Sequence, residues 1–119
     1  MSRAGLPVGL PSPDLFKRSK QPVNTQTGTT YTLVGSDEGK LLTFSNASAV
    51  AVTIGTGMGL TAGQRIDLLN LGAGVVTVGA GSGNTLNGTP GLKLRTQYSV
   101  ASLICTGTNT FVLAGDLTA

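Results

Sequence analysis

The chain contains no histidine and no tryptophan, one cysteine, and only three Phe and two Tyr in 119 residues. Without histidine, the commonest general base and the commonest metal ligand are both missing. A lone cysteine, Cys105, excludes an intrachain disulfide and a cysteine-rich zinc site. Charge is scarce too, at 11% of residues against roughly 25% in typical soluble domains. No apolar run approaches the ~18 residues of a membrane span. Near the start, Leu6, Val8 and Leu10 are interrupted by prolines and never make the ~7–15-residue apolar stretch of a secretory signal. These absences lead us to expect no catalysis, no cofactor, no bound metal and no membrane partner, with synthesis in a cytoplasm.

What charge there is falls unevenly. The segment 1–22 holds Arg3, Lys17, Arg18 and Lys20 against Asp14, which accounts for the whole net charge of +3. From Val23 onward Lys40, Arg65, Lys93 and Arg95 balance Asp37, Glu38, Asp67 and Asp116. Four of the five prolines (Pro7, Pro11, Pro13, Pro22) lie in the same head segment. Proline at that density blocks helix and sheet and favours an extended course. The head segment also carries Leu6, Val8, Leu10, Leu15 and Phe16, too many apolar side chains for a pure linker. The division therefore reads as an extended basic arm, 1–22, on an electroneutral body, 23–119. The arm's anchoring candidates are Arg3, Leu6, Val8, Leu10, Leu15, Phe16, Lys17, Arg18 and Lys20, the alternative being a tail that merely solvates.

The body reads as β throughout. Strands are expected at Thr29–Val34, Leu41–Ser45, Ala49–Ile54, Gln64–Leu71, Val75–Val78, Leu92–Arg95, Tyr98–Cys105 and Thr110–Ala114, with turns every 8–12 residues. Ile66 and Leu68 alternate with Arg65 and Asp67, and Leu92 and Leu94 with Lys93 and Arg95, so each of these strands has one apolar and one charged face. Asn87-Gly88 reads as a tight turn. About eight short strands with no sustained helical period predict an all-β fold, a compact β-sandwich or barrel of jelly-roll-like type. The segments Val52-Thr-Ile-Gly-Thr-Gly57 and Val76-Thr-Val-Gly-Ala-Gly81 echo each other at a spacing of 24. They are read as equivalent strand-to-turn corners, with a short β-helix as the alternative.

No reactive constellation emerges. The glycine-rich loops 55–59 and 79–83 lack the Lys-Ser/Thr of a P-loop and the helix that a dinucleotide loop needs behind its glycines. Cys105 ends an apolar strand and reads as a small buried hydrophobe. Arg65, Asp67, Lys93 and Arg95 read as outer-face charges with a cross-strand ion pair among them. Four positive charges and one aromatic, Phe16, would give only weak, salt-sensitive nucleic-acid binding without sequence readout. A protein surface suits the arm's apolar residues better. A body so poor in charge is expected to be partly covered, by identical subunits or by a larger assembly, and Val75/Thr77 and Ala49/Ala51 are candidate subunit contacts.

Several stretches carry a likeness: Val23–Leu33, Asp37–Leu41, Phe44–Ser48, Gly63–Gly74, Gly91–Arg95, Tyr98–Ala101 and Gly107–Leu113. Over these the chain resembles a small β module of tailed-phage virion proteins, found in head-decoration, head-fibre and tail-fibre-associated chains. The resemblance spans about four fifths of the sequence and leaves the segment 1–22 without a counterpart. It implies a homotrimer and a structural role in the virion. On the physical argument from the arm, the expected role is capsid decoration: the body stands outside the head lattice, bound to the major capsid protein through the arm and stabilising it. The competing expectation is a tail or fibre component that binds host saccharide. That role wants exposed aromatics, whereas Tyr31, Phe44, Tyr98 and Phe111 all fall within expected strands.

Overall fold

The computed structural model describes residues 20–119, and eight of the nine anchoring candidates, Arg3 to Arg18, lie outside that range. The alternation of β-branched and polar residues after Pro22 produces short strands that, through the first half of the body, swap sides of a sandwich at every turn. In chain order the strands are β1 (Val23–Gln26), β2 (Thr30–Leu33), β3 (Leu41–Phe44), β4 (Val50–Ile54), β5 (Arg65–Asn70) and β6 (Val76–Ala80). They continue as β7 (Thr85–Gly88), β8 (Lys93–Leu94), β9 (Val100–Gly107), β10 (Thr110–Gly115) and β11 (Leu117–Thr118). One sheet has the order β1-β3-β5-β9-β10-β7 and the other β11-β8-β6-β4-β2. The expected all-β sandwich is what the chain forms, with eleven strands among the described residues rather than about eight. Helix is confined, among the same residues, to one 3-10 turn at Gly35–Asp37. No helix there is long and apolar enough to cross a membrane.

The connectivity is a coil. Odd strands β1, β3 and β5 pair in parallel in the six-stranded sheet, and even strands β2, β4 and β6 pair in parallel in the five-stranded one. The first half of the body is thus three stacked turns of a flattened β-helix. It is closed by β8 running antiparallel to β6 and β9 antiparallel to β5. A jelly roll would pair its neighbours antiparallel; here only the closing strands do so, apart from β7, which lies parallel to β10. The step from the second coil to the third is the same in both sheets, since Leu41 lies beside Asp67 and Val50 beside Val76. The step from the first coil to the second is shorter and differs between the sheets, with Val23 beside Leu41 and Tyr31 beside Val52.

The sequence echo belongs to this stacking, with a slip. Val52 sits beside Val78 rather than Val76, so the true offset exceeds the sequence echo by two residues. An even slip preserves which side chains point inward. Gly55 and Gly81 occupy equivalent corners, and a Cβ on either would collide with a backbone carbonyl of the coil before, that of Leu33 or Ile54. At the opposite corners Gly72 and Gly74 press on the backbone of Asn46 and Ser48 in the same way. Asparagines tie these corners together: Asn46 Nδ2 donates to Thr27 O at 2.8 Å, and Asn84 Nδ2 to Gly55 O at 3.0 Å.

Inside, rows of side chains run across the coils. Leu42 and Leu68 form one row with Ala101, Val52 and Val78 another, and all five are buried. Burying an aliphatic side chain the size of Val or Leu contributes about 1.5–3 kcal/mol. Ile66 and Leu68 face the core and Arg65 points to solvent, as the alternation in β5 predicts. Cys105 is buried as expected.

Asn87-Gly88 is not the expected tight turn. Both residues belong to β7, which pairs in parallel with β10 and so makes no hairpin. Gly88 serves close packing instead, since a Cβ there would come within 2.8 Å of Gly91 O. The terminal strands β1 and β11, polar and short, carry too little apolar alternation to be expected from sequence.

Candidate attachment surfaces

Three places on the body depart from ordinary solvated sandwich surface. The first is the root of the head segment. Lys20, the one anchoring candidate among the described residues, is exposed. Gln21 is not free: its Nε2 donates to Gly39 O at 3.1 Å and to Asp67 Oδ2 at 2.8 Å. Asp67 lies on β5, two strands in from the edge strand β1, so the Gln21 side chain reaches over the outer face of the six-stranded sheet. The Asp67 carboxylate also accepts from Ser102 Oγ at 2.6 Å and lies 3.7 Å from Arg65 Nε. It is thereby a junction between β5, β9 and the segment that precedes β1.

The second place is the turn before β9. Tyr98 precedes the strand rather than lying in it, has φ of 72° and is 70% exposed. A bulky side chain in the left-handed region is a true backbone outlier, kept only where surrounding structure over-determines it. Here the bonds that do so are visible. Tyr98 N–H donates to Asn70 O at 2.6 Å, and Gln97 Nε2 to Leu71 O at 3.0 Å. Thr96 N–H donates to Ser99 Oγ at 3.1 Å, and that hydroxyl donates to Asp116 Oδ2 at 2.7 Å. Asp116 in turn receives Arg95 through Nε at 2.7 Å and Nη2 at 3.0 Å. The Arg95 bonds first, then the Ser99 bond, hold the Asp116 carboxyl below the usual carboxylate range. The ion pair is not the one expected among Arg65, Asp67, Lys93 and Arg95: Arg95 pairs with Asp116, outside that set, and within it only Arg65 and Asp67 approach each other, at 3.7 Å on the same strand. Beside Tyr98 stand Leu71 and Val100, both exposed, with Val100 paired to Leu69.

The third is a polar cluster closing the first coil. Asp37, 1% exposed, accepts Asn24 Nδ2 on Oδ1 at 3.0 Å. Its Oδ2 accepts the Tyr31 hydroxyl at 2.8 Å and Val34 N–H at 3.0 Å. Where the second coil places Leu42 and Val52 inward, the first places Asn24 and Tyr31. The open end of the stack is thus sealed by hydrogen bonds rather than by apolar packing alone. Burial, reinforced by the bond to Asp37, raises the Tyr31 hydroxyl above its ordinary pKa.

The glycine-rich loops form corners. Gly57, Gly59 and Gly83 have positive φ, which explains the residue type there. Ala51 and Thr77 are neighbours on the outer face of the five-stranded sheet and are exposed, as are Ala49 and Val75. Gln21, Asp37 and Tyr98 escape the sequence reading of the surface. Gln21 and Asp37 sit in polar stretches that look solvated, and Tyr98 looks like the start of a strand because an apolar run follows it directly.

No family model matches the chain, and no curated protein matches it.

Proposed function

We propose that this chain is a structural protein of a phage virion, most plainly a capsid decoration protein. Its body stands on the outside of the head lattice as a homotrimer, and the basic, apolar and proline-rich segment 1–22 grips the major capsid protein. The observation that carries this reading is the charge division. All the net charge lies in the segment 1–22, while the body is a neutral stack whose glycine corners and asparagine ties suit a rigid part rather than a catalyst. Gln21, at the end of that segment, is tied through its side chain to Asp67 on the outer face of the six-stranded sheet. Nucleic acid, membrane, metal and cofactor play no part in this reading, and the product of its assembly is a more stable shell. Ordering the arm costs roughly 1–2 kcal/mol per residue in backbone entropy, so attachment requires several arms acting together.

One observation favours the second reading, a tail or fibre component that binds host saccharide. Tyr98 is an exposed aromatic on a rigid turn, the feature that reading requires. Electron micrographs of particles carrying labelled protein discriminate the two: label over the head supports decoration, and label confined to the tail overturns it. Chains lacking the segment 1–22 should leave heads undecorated. Full occupancy by the truncated chain would make the arm a passenger.

A further inference from the structure

We propose that the outer face of the six-stranded sheet, centred on β5, β9 and β10, is the surface on which this chain meets further copies of itself, with Tyr98 as an anchor at its margin. The contact rests on the self-association in the proposed function and deepens it by naming the face. It holds whether or not the oligomer belongs to a virion.

The central strands carry the argument first. A sheet with one wet face alternates apolar and polar residues, whereas strands apolar on both sides belong to sheets covered on both. β9 and β10 are of the second kind. Ala101, Leu103, Cys105, Phe111 and Leu113 fill the core, while Val100, Ile104, Val112 and Ala114 point the other way and stay partly or fully exposed. Leu69 extends this outward set onto β5, where it pairs with Val100, as Ile104 does with Val112. The five-stranded sheet differs. Its outward rows hold Thr30, Ala51 and Thr77, then Thr32 and Thr53, the composition of a wetter face.

Charge then selects the occupant. In the six strands of this sheet only Arg65 and Asp67 are charged, so the face is neutral. Asp67 already accepts from Gln21 and Ser102, with Arg65 at 3.7 Å, and covering it strands no carboxylate. A face that meets its own copy brings the same charges to both sides, so neutrality is what lets it do so without repulsion. Exposed Thr25 on β1 and exposed Thr85 and Asn87 on β7 add polar margins to the apolar centre, the usual anatomy of a protein contact.

Size agrees. Strands of four to eight residues, about 4.8 Å apart and rising about 3.3 Å per residue, give a flat face of roughly 500 Å². Two such faces reach the roughly 1,000 Å² at which specific interfaces begin. Tyr98 stands beside Leu71 and Val100, with its backbone fixed by bonds to Asn70 and through Ser99 to Asp116. A ring held in place before contact loses little freedom on being covered, and tyrosine is among the residues on which contacts most depend.

Sedimentation of the full chain over a range of concentrations tests the proposal. Val100→Lys with Ala114→Lys, both at exposed positions, should raise the concentration of half-association by about tenfold or more, with an unchanged circular dichroism spectrum. Tyr98→Asn removes the ring while tolerating the left-handed backbone and should raise it several-fold. The chain has no tryptophan, so Val100→Trp places a single indole on the face. Its emission should be blue-shifted in the oligomer and move to the red as dilution separates the copies. A parent that sediments as a monomer throughout would overturn both this contact and the homotrimer. An oligomer that survives the lysine pair and Tyr98→Asn, or that yields only to charges at Ala51 and Thr77, would overturn the contact and leave the homotrimer standing. An indole shielded equally in the monomer would assign the cover to the same chain and overturn the proposal.

Discussion

The Tyr31 hydroxyl donates to the Asp37 carboxylate at 2.8 Å across the mouth of the first coil. Because that carboxylate also satisfies Asn24 and the Val34 amide, its removal orphans three donors at once. Asp37→Ala should cost more than one ordinary hydrogen bond, about 1–3 kcal/mol. Tyr31→Phe removes one donor to Asp37 and the oxygen that accepts from Asn24 Nδ2 at 3.0 Å, leaves the carboxylate two donors, and should cost less. Urea midpoints of the two variants check the order. Equal midpoints would mean that water already shares the cluster.

Stability should fall at both extremes of pH, for separate reasons. The Tyr31 hydroxyl is raised above its ordinary value of 10.0 in the folded state. The unfolded chain then loses its proton first, and the contribution, whole below about pH 10, is lost as pH rises through the folded value. Asp116 is lowered from its ordinary 3.8. Its contribution is present above that value and lost as pH falls through the folded one. Unfolding followed from near-neutral to extreme pH should show Tyr31→Phe flattening only the alkaline limb and Asp116→Asn only the acid limb.

Two glycines should respond differently to alanine. At Gly74 the added Cβ would collide with the Ser48 carbonyl of the preceding coil, and nothing soft is there to yield. A loss of about 3 kcal/mol or more is expected, as for severe overpacking. At Gly57, with φ of 68° and open space around the Cβ position, the cost is backbone strain alone, about 1–2 kcal/mol. Thermal melts of the two variants, compared with the parent, measure the difference.

If the outer face of the five-stranded sheet joins the subunits of a trimer, paired charges there should separate them. Ala51→Glu with Thr77→Glu changes two exposed, adjacent positions, where substitutions rarely alter stability by more than about 0.5 kcal/mol. Sedimentation should show smaller species with an unchanged circular dichroism spectrum. Unaltered sedimentation of an oligomeric parent would exclude this face.

Much of the fold is legible in the residues. Alternation in β5 and β8 tells inside from outside, because a half-buried strand must alternate. The Val52 and Val76 segments disclose equivalent corners. What alternation cannot tell is whom a strand lies beside, so parallel stacking enters the sequence reading only as the alternative to a jelly roll. The irregular first coil hides the third repeat, since Tyr31 precedes its neighbour Val52 by a shorter stretch than separates Val52 from Val78. Asn87-Gly88 has the composition of a turn and the position of a strand, a glycine chosen for closeness rather than for reversal. The attachment surfaces are harder still. Gln21 and Asp37 act through partners distant in the chain, and polar residues in a turn bear no local mark of such partners.

The order of strands also has a consequence for synthesis. Each of the first three coils finds its neighbour as soon as it is made, β3 on β1, β4 on β2, β5 on β3 and β6 on β4. In its sheet β7 touches only β10, and β10 reaches the coils only through β9. A ribosome releasing this chain would therefore expose a growing stack with a ragged advancing end for as long as the segment 100–115 remains inside the tunnel. Because domains tend to fold from their N-terminal side as they emerge, the last strands act as a latch. A nascent protein stalled before β9 emerges would have its coils but no closure, and its β5 edge would be open to strands of other chains.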